Sequence, residues 1–464
     1  MNHVQTSYIL YTSFYILLIL ISIVCFSCFQ DNHDPIPKDY LFYAVDISVL
    51  RSDGCHDSNQ MYTYYPLQAD LVREGTHCAL YIEKGKDSYV NPSTFSEIQK
   101  YFDTQIYSQI TDFFAPAPDV DTNGKIYFLF LDVKDGYGTN TSQFIRGYFD
   151  PMQLFEFDYG TKQDLYYLDV YPTDLSSDSA LFIEKTIRTL VHEFTHMCIF
   201  NQRILLNHPE LIPDRITDPM LNDTFIFESE FDLWIEEGLT KSAEHYFFNT
   251  PLSDLISRYN RDPGDYNCDL FPIHHFRDGW PLLSWWYSIY DYVLSYLFMQ
   301  YLKIQAENPT TFFSDFIKNP KSGSEALLET CQTHQILDSN LNVSEGFRVL
   351  LGRFAVAMTL RLPDGIYGFK NQLFSNSTPL IRFTNQKSPI ILYPGSWVLI
   401  QNSSNNSLNI DIESHSNLGI LGLNAETNEI DWHGSDGFND SIVILYNYDN
   451  NPAGTPIQIP LDSK

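Results

Sequence analysis

Positive charge is what this sequence has least of. It carries 28 Lys and Arg against 58 Asp and Glu, a formal charge of -30. No Lys or Arg precedes Lys38, and none occurs from residue 388 to residue 463. Such a surface repels polyanions, which excludes a role in tracking nucleic-acid phosphates and argues against electrostatic docking on anionic lipid. It can favour cationic substrates or cations such as calcium. A solvated acidic surface is the plainer reading, so charge alone names no substrate. Cysteine is sparse too, with seven in 464 residues, at 25, 28, 55, 78, 198, 268 and 331. Outside the N-terminal apolar run no CxxC pair occurs, which excludes a finger-type structural zinc site. No internal repeat is present, which excludes a solenoid.

What the chain does have is length, apolar mass and aromatic rings. With 464 residues it suggests two or three domains, and 44% hydrophobic residues suffice for a sizeable core. Residues 8–29 (YILYTSFYILLILISIVCFSCF) carry no charge. Such a run is a secretory signal or a membrane span. It ends in Ser27-Cys28 before a polar stretch, a loose match to a lipoprotein cleavage site with Cys28 as the lipidated residue. Lipidation, plain secretion and an uncleaved anchor all put the body outside the cytoplasm. In an oxidising compartment Cys55 can pair with Cys78, and Cys268 with Cys331. Cys198, on a helix, reads as a small buried residue without a partner.

The expected organisation is a leader over 1–28, a linker over 29–39, a β-rich segment over 40–92, a catalytic region over 93–365 and an all-β sandwich over 366–464. Residues 93–113 read as a helix with Phe95, Ile98, Phe102, Ile106 and Ile110 on one face. IYFLFLDV and LYYLDVY read as strands. The turn before IYFLFLDV holds Asp119, Asp121, Asn123 and Gly124, matching the start of a calcium loop. Phe130 stands where the loop's twelfth-position Glu belongs, so a turn entering a strand is preferred and calcium is a secondary expectation. Further helices are predicted over 179–201, 233–248 and 280–305, with a broken helical stretch over 311–362.

The chemistry concentrates in His192-Glu193-Phe194-Thr195-His196. Residues four apart share one helix face, so two imidazoles can bind one zinc from the same side. The Glu one step after the first His lies beside the metal, placed to take a proton from water. A catalytic zinc needs a third protein ligand. Trp234-Ile235-Glu236-Glu237-Gly238 supplies it, with Glu237 before the Gly preferred and Glu236 the competitor. The third-His extension of HExxH is absent, with Ile and Gln at 199 and 202. Glu244 is a candidate to hydrogen-bond a ligand imidazole, or else an exposed helix acid. The tyrosines of residues 287–297, together with His274 and His275, are candidates to steady an oxyanion. His245 reads as structural.

Taken together, HEFTHM, WIEEGLTKSAEH and YVLSYLFMQYL, with DVDTNGKIYFLFLDV and IRGYFDP upstream, resemble the hyicolysin family of bacterial zinc metallopeptidases, thermolysin-like zincins with a Glu ligand. The likeness covers roughly residues 60–305. It implies an α+β fold with a thermolysin-like catalytic region. It also implies one catalytic Zn2+ on His192, His196 and Glu237, Glu193 as base, and Tyr292 as the oxyanion tyrosine. Two departures stand out: Glu236 occupies a usual Asn position, and Val293-Leu294 replaces a small-residue pair. No G-x-M-E-N exopeptidase signature occurs, which favours internal cleavage of protein or peptide substrates. IYFLFLDV is the expected edge strand for substrate. Two rivals stand beside this reading: a non-catalytic surface binding protein or adhesin on the same scaffold, and a zinc hydrolase with a non-peptide substrate.

Overall fold

The computed structural model describes residues 39–48, 63–139, 144–156, 159–173, 175–176, 180–212, 232–265, 272–374, 378–387, 389–401, 415–424, 427–432 and 442–460. The apolar run 8–29 and Cys25, Cys28, Cys55 and Cys268 lie outside them. No helix among the described residues is long and apolar enough to cross a membrane.

The fold mixes α and β. One six-stranded sheet contains β1 (Asp39–Asp46), β2 (Thr63–Glu74), β3 (Cys78–Glu83), β4 (Ile126–Leu131), β5 (Gly147–Phe149) and β6 (Leu165–Asp169), in the order β1-β2-β3-β4-β6-β5. β3, β4 and β6 run parallel, and the outer strands are antiparallel. All six β4 side chains are buried, Ile126, Phe128 and Phe130 on one face and Tyr127, Leu129 and Leu131 on the other. A strand covered on both faces reads as a continuous apolar run. It is paired with β3 and β6, so it cannot be the edge strand expected from the sequence. The edge strands are β1 and β5, and the three residues of β5 carry no comparable hydrophobic signal.

The sheet curls until its two ends meet. Tyr148 of β5 accepts from the Val45 backbone N–H of β1 at 3.2 Å, and the Tyr167 hydroxyl donates to the Tyr43 carbonyl at 2.5 Å. Two tyrosine hydroxyls thus satisfy backbone groups that an open edge would leave to water. The N-terminal β segment therefore shares its sheet with β4 and β6.

Helices cover the outer face. α1 (Pro92–Tyr101) passes through a wider π turn (Phe102–Ile106) into α2 (Tyr107–Phe113), and the predicted stripe is buried throughout. α3 (Ala180–Phe200), α4 (Leu233–Phe248), α5 (Ser253–Arg261), α6 (Ile289–Gln305), α7 (Phe312–Lys318), α8 (Gly323–Thr333) and α9 (Val343–Leu360) follow. The predicted helix over 280–305 begins only at Ile289. Asp291 accepts from Trp280 Nε1 and from the backbone N–H groups of Trp286 and Ser288, which holds residues 280–288 as a loop and caps the helix.

The C-terminal region is β-rich. β8 (Trp397–Gln401), β9 (Leu418–Asn424), β10 (Glu429–Asp431) and β11 (Ile442–Asn447) form an antiparallel sheet. β7 (Ile390–Leu392) pairs with β12 (Ile457–Ile459), and a small core joins that ribbon to the sheet. The opposite face packs into the main core, with the Trp397 ring 5.5 Å from Phe354 of α9. Cys78, Cys198 and Cys331 are buried free thiols, and Cys55 and Cys268, the partners expected for Cys78 and Cys331, lie outside the described residues. Burial pushes all three thiols up, which disfavours the reactive thiolate form.

Candidate metal centre

α3 carries its apolar stripe through Ile187, Leu190, Val191, Phe194 and Cys198, all buried. Docking that stripe on the sheet turns the opposite face, with His192, Glu193 and His196, toward a cleft of about 520 Å³. The cleft is bordered by β5, by Val45 and Ile47 at the β1 end, and by Glu236, Glu237 and Tyr292 from the facing helices. α4 approaches closely because Gly238 packs on α6. A Cβ there would stand 2.7 Å from Met299 Cγ and 2.9 Å from the Ser295 carbonyl oxygen.

The two helices bring three donors together. Glu237 Oε2 lies 3.2 Å from His192 Nε2, and its Oε1 lies 3.8 Å from His196 Nε2. The two Nε2 atoms are 3.2 Å apart. His192, His196 and Glu237 can thus offer one ligand atom each within a 4.8 Å group. Two imidazole nitrogens and one carboxylate are the donor types of a catalytic zinc site. The competitor Glu236 faces the other way, its Oε1 2.7 Å from His196 Nδ1. Glu244 reaches His192 Nδ1 at 3.1 Å. Each imidazole is therefore backed at Nδ1 by a carboxylate, which orients the ring and leaves Nε2 for metal.

The electrostatics match. Burial works against ionised Glu237, but the hydrogen bond and charge of His192, with His196 and Lys241, hold its carboxyl down at about 2. Burial likewise opposes charge on Glu244, and Lys241 and His192 hold it at about 2. Burial also disfavours the charged form of His196, yet Glu236, Glu237 and Glu193 lift it to about 9. Glu193 is 7% exposed, and burial pushes its carboxyl above the usual range against the pull of the imidazoles. Raised basicity suits a general base.

The other candidates fall elsewhere. Tyr292 lines the cleft beside Glu193 and Glu237, and burial raises its hydroxyl well above the usual value. His274 Nδ1 binds the Asp265 carbonyl and His275 Nδ1 the Asp262 carbonyl, holding a loop away from the cleft lining. His245 contacts the Tyr296 hydroxyl at 3.0 Å and, desolvated, sits at about 4, as a neutral structural residue. Asp119 and Asp121 meet Asp164 of the loop before β6. Asp119 and Asp121 cap the turn and Asp164 accepts from the Val120 N–H, so each already has a backbone partner. Phe130 is buried on β4, so no twelve-residue calcium loop forms. Sequence reasoning passed over Lys241, whose ammonium lies 2.7 Å from Glu244 Oε1. The signal available was a cation inside a helix that supplies ligands.

Fold and site together define a mixed α and β protein in which two helices converge two imidazoles and a carboxylate on one candidate metal position. No family model matches the chain. It is similar to the neutral metalloprotease ShpI of Staphylococcus hyicus, with 29% identity over 294 residues. That similarity covers 63% of this chain and 59% of the relative, so the chain spans less than two thirds of the relative's length.

Proposed function

We propose that this chain is a zinc-dependent endopeptidase that works outside the cytoplasm, with His192, His196 and Glu237 as metal ligands. The convergence of those three side chains beside a buried Glu193, in a cleft bordered by a sheet edge, carries the reading. The likeness to a neutral metalloprotease supports it. The apolar run 8–29 supports export, whether by secretion, lipidation at Cys28 or an anchor.

Zinc, when bound, supplies Lewis acidity, lowering the pKa of water toward about 7 and polarising the scissile carbonyl. The chain's own residues do the rest. Substrate lies in extended form along β5, where free strand-edge groups can pair with its backbone. Glu193 takes the proton of the attacking water and passes it to the leaving amine nitrogen. Tyr292 donates its hydroxyl to the developing oxyanion. Glu244 and Glu236 hold the imidazoles in place.

The test is casein hydrolysis and metal content for the purified chain and for Glu193→Gln. One zinc per chain in both, with turnover reduced about 10²–10⁴-fold in the variant, is the expected result. Full activity in Glu193→Gln sinks the assignment of the base. Zinc without hydrolysis in either would favour a non-catalytic binding protein.

A further inference from the structure

Lys241 lies on α4, one turn after Glu237 and just before Glu244. A lysine paired with a glutamate three residues on is ordinarily a surface device worth a few tenths of a kcal/mol. This one is different in two respects. Its side chain is 22% exposed and that of Glu244 only 8%. The oxygen it holds, Glu244 Oε1, is the same oxygen that His192 Nδ1 reaches at 3.1 Å. The ammonium also lies 5.4 Å from the centroid of the Tyr292 ring. One cation therefore touches the carboxylate behind a ligand histidine and the face of the cleft tyrosine.

The charge balance gives that contact a purpose. Glu193, Glu236, Glu237 and Glu244 all gather at the two imidazoles. Lys241 acts electrostatically on Glu193, Glu237 and Glu244. Lys241 offsets part of this negative charge and so lowers the cost of burying Glu244 behind the imidazole. Geometry adds to this. A carboxylate oxygen that accepts from an ammonium and an imidazole N–H is held in one rotamer, which fixes the Nδ1–H tautomer and leaves the Nε2 lone pair free.

We propose that Lys241 is a positioning residue of the metal centre, pinning Glu244 so that Glu244 presents His192 Nε2 to the metal. The proposal rests on the metal-centre reading above. It is tested on the full zinc-loaded chain, comparing wild type with Lys241→Met, Lys241→Arg, Glu244→Gln and the Lys241→Met/Glu244→Gln pair. The primary readout is the rate of zinc release to a chelator. The absorption spectrum of the cobalt-substituted forms and the melting temperature accompany it.

Lys241→Met should keep one zinc per chain, release it about 10–100-fold faster and shift the cobalt spectrum. Lys241→Arg should restore most of the loss. Because the effect passes through Glu244, the double variant should release zinc no faster than Glu244→Gln alone. Should Lys241→Met fail to fold, Lys241→Gln, which keeps a donor without the charge, takes its place in the same comparison. Wild-type release rates and spectra in Lys241→Met, or single effects that multiply in the double variant, overturn the proposal while leaving the zinc site standing. A wild-type chain that binds no zinc overturns the metal-centre reading itself.

Discussion

Glu236 and Glu237 are neighbours in sequence, and only one can be the third ligand. A helix turns each residue about 100° past the last, so adjacent carboxylates point apart. Glu237 faces the Nε2 side, with its two oxygens 3.2 Å from His192 and 3.8 Å from His196. Glu236 faces Nδ1 of His196 at 2.7 Å. On the proposed assignment Glu237→Ala removes one of three protein ligands and one buried negative charge, and the chain should lose most of its zinc on dialysis. Glu236→Gln keeps an acceptor for the His196 Nδ1–H and should keep zinc, weakened about 10–100-fold, equivalent to about 1.4–2.7 kcal/mol. The assay is elemental analysis after dialysis, followed by chelator competition to obtain relative affinities. A Glu236→Gln chain empty of zinc beside a fully loaded Glu237→Ala chain would refute the ligand assignment.

Further tests address the neighbouring parts. Tyr292→Phe should keep zinc and substrate binding but lower kcat about 10²–10³-fold, the cost of one oxyanion donor; unchanged kcat would remove Tyr292 from the chemistry. Gly238→Ala should cost about 1–3 kcal/mol in chemical denaturation, because its methyl meets the Ser295 backbone, and should lower activity by pushing α6 away; a more stable variant would refute the close-packing argument. Burial, with Asp121 and Asp119 nearby, lifts Asp164 to about 8. The folded state then keeps a proton that the unfolded state releases near pH 4. Stability from this group is fully present below that pH and is lost at up to about 1.4 kcal/mol per unit as pH rises toward 8. Asp164→Asn should therefore melt higher than wild type at pH 8 in chelator but not at pH 4; an equal difference at both would contradict the protonated carboxyl.

The local patterns were legible where periodicity decides structure. The stripe of Phe95, Ile98, Phe102, Ile106 and Ile110, the continuous apolar β4, the α3 helix with its two histidines and the span of α4 all follow from side-chain spacing. The preference for Glu237 over Glu236 comes instead from the family resemblance of WIEEGLTKSAEH, since spacing leaves both carboxylates open. The same strength misled at β4. A run buried on both faces is strongly hydrophobic because it is central, and the reading of an edge took hydrophobicity for accessibility. The edge strand that borders the cleft along its length, Gly147–Phe149, is short and carries only part-buried residues.

By itself, then, the sequence determined which residues could bind a metal, on which helices, and that IYFLFLDV and LYYLDVY would be strands. Those properties depend on neighbours within a few positions. Sheet order decided that β5 and not β4 borders the cleft, because an edge is defined by which strand lacks a second partner. Packing of α4 against α3 decided which glutamate faces Nε2 and which backs Nδ1, and packing of α4 on α6 set Tyr292 beside Lys241. Contacts between residues 40 to 52 positions apart depend on how separate elements fill one core, and no local spacing records that.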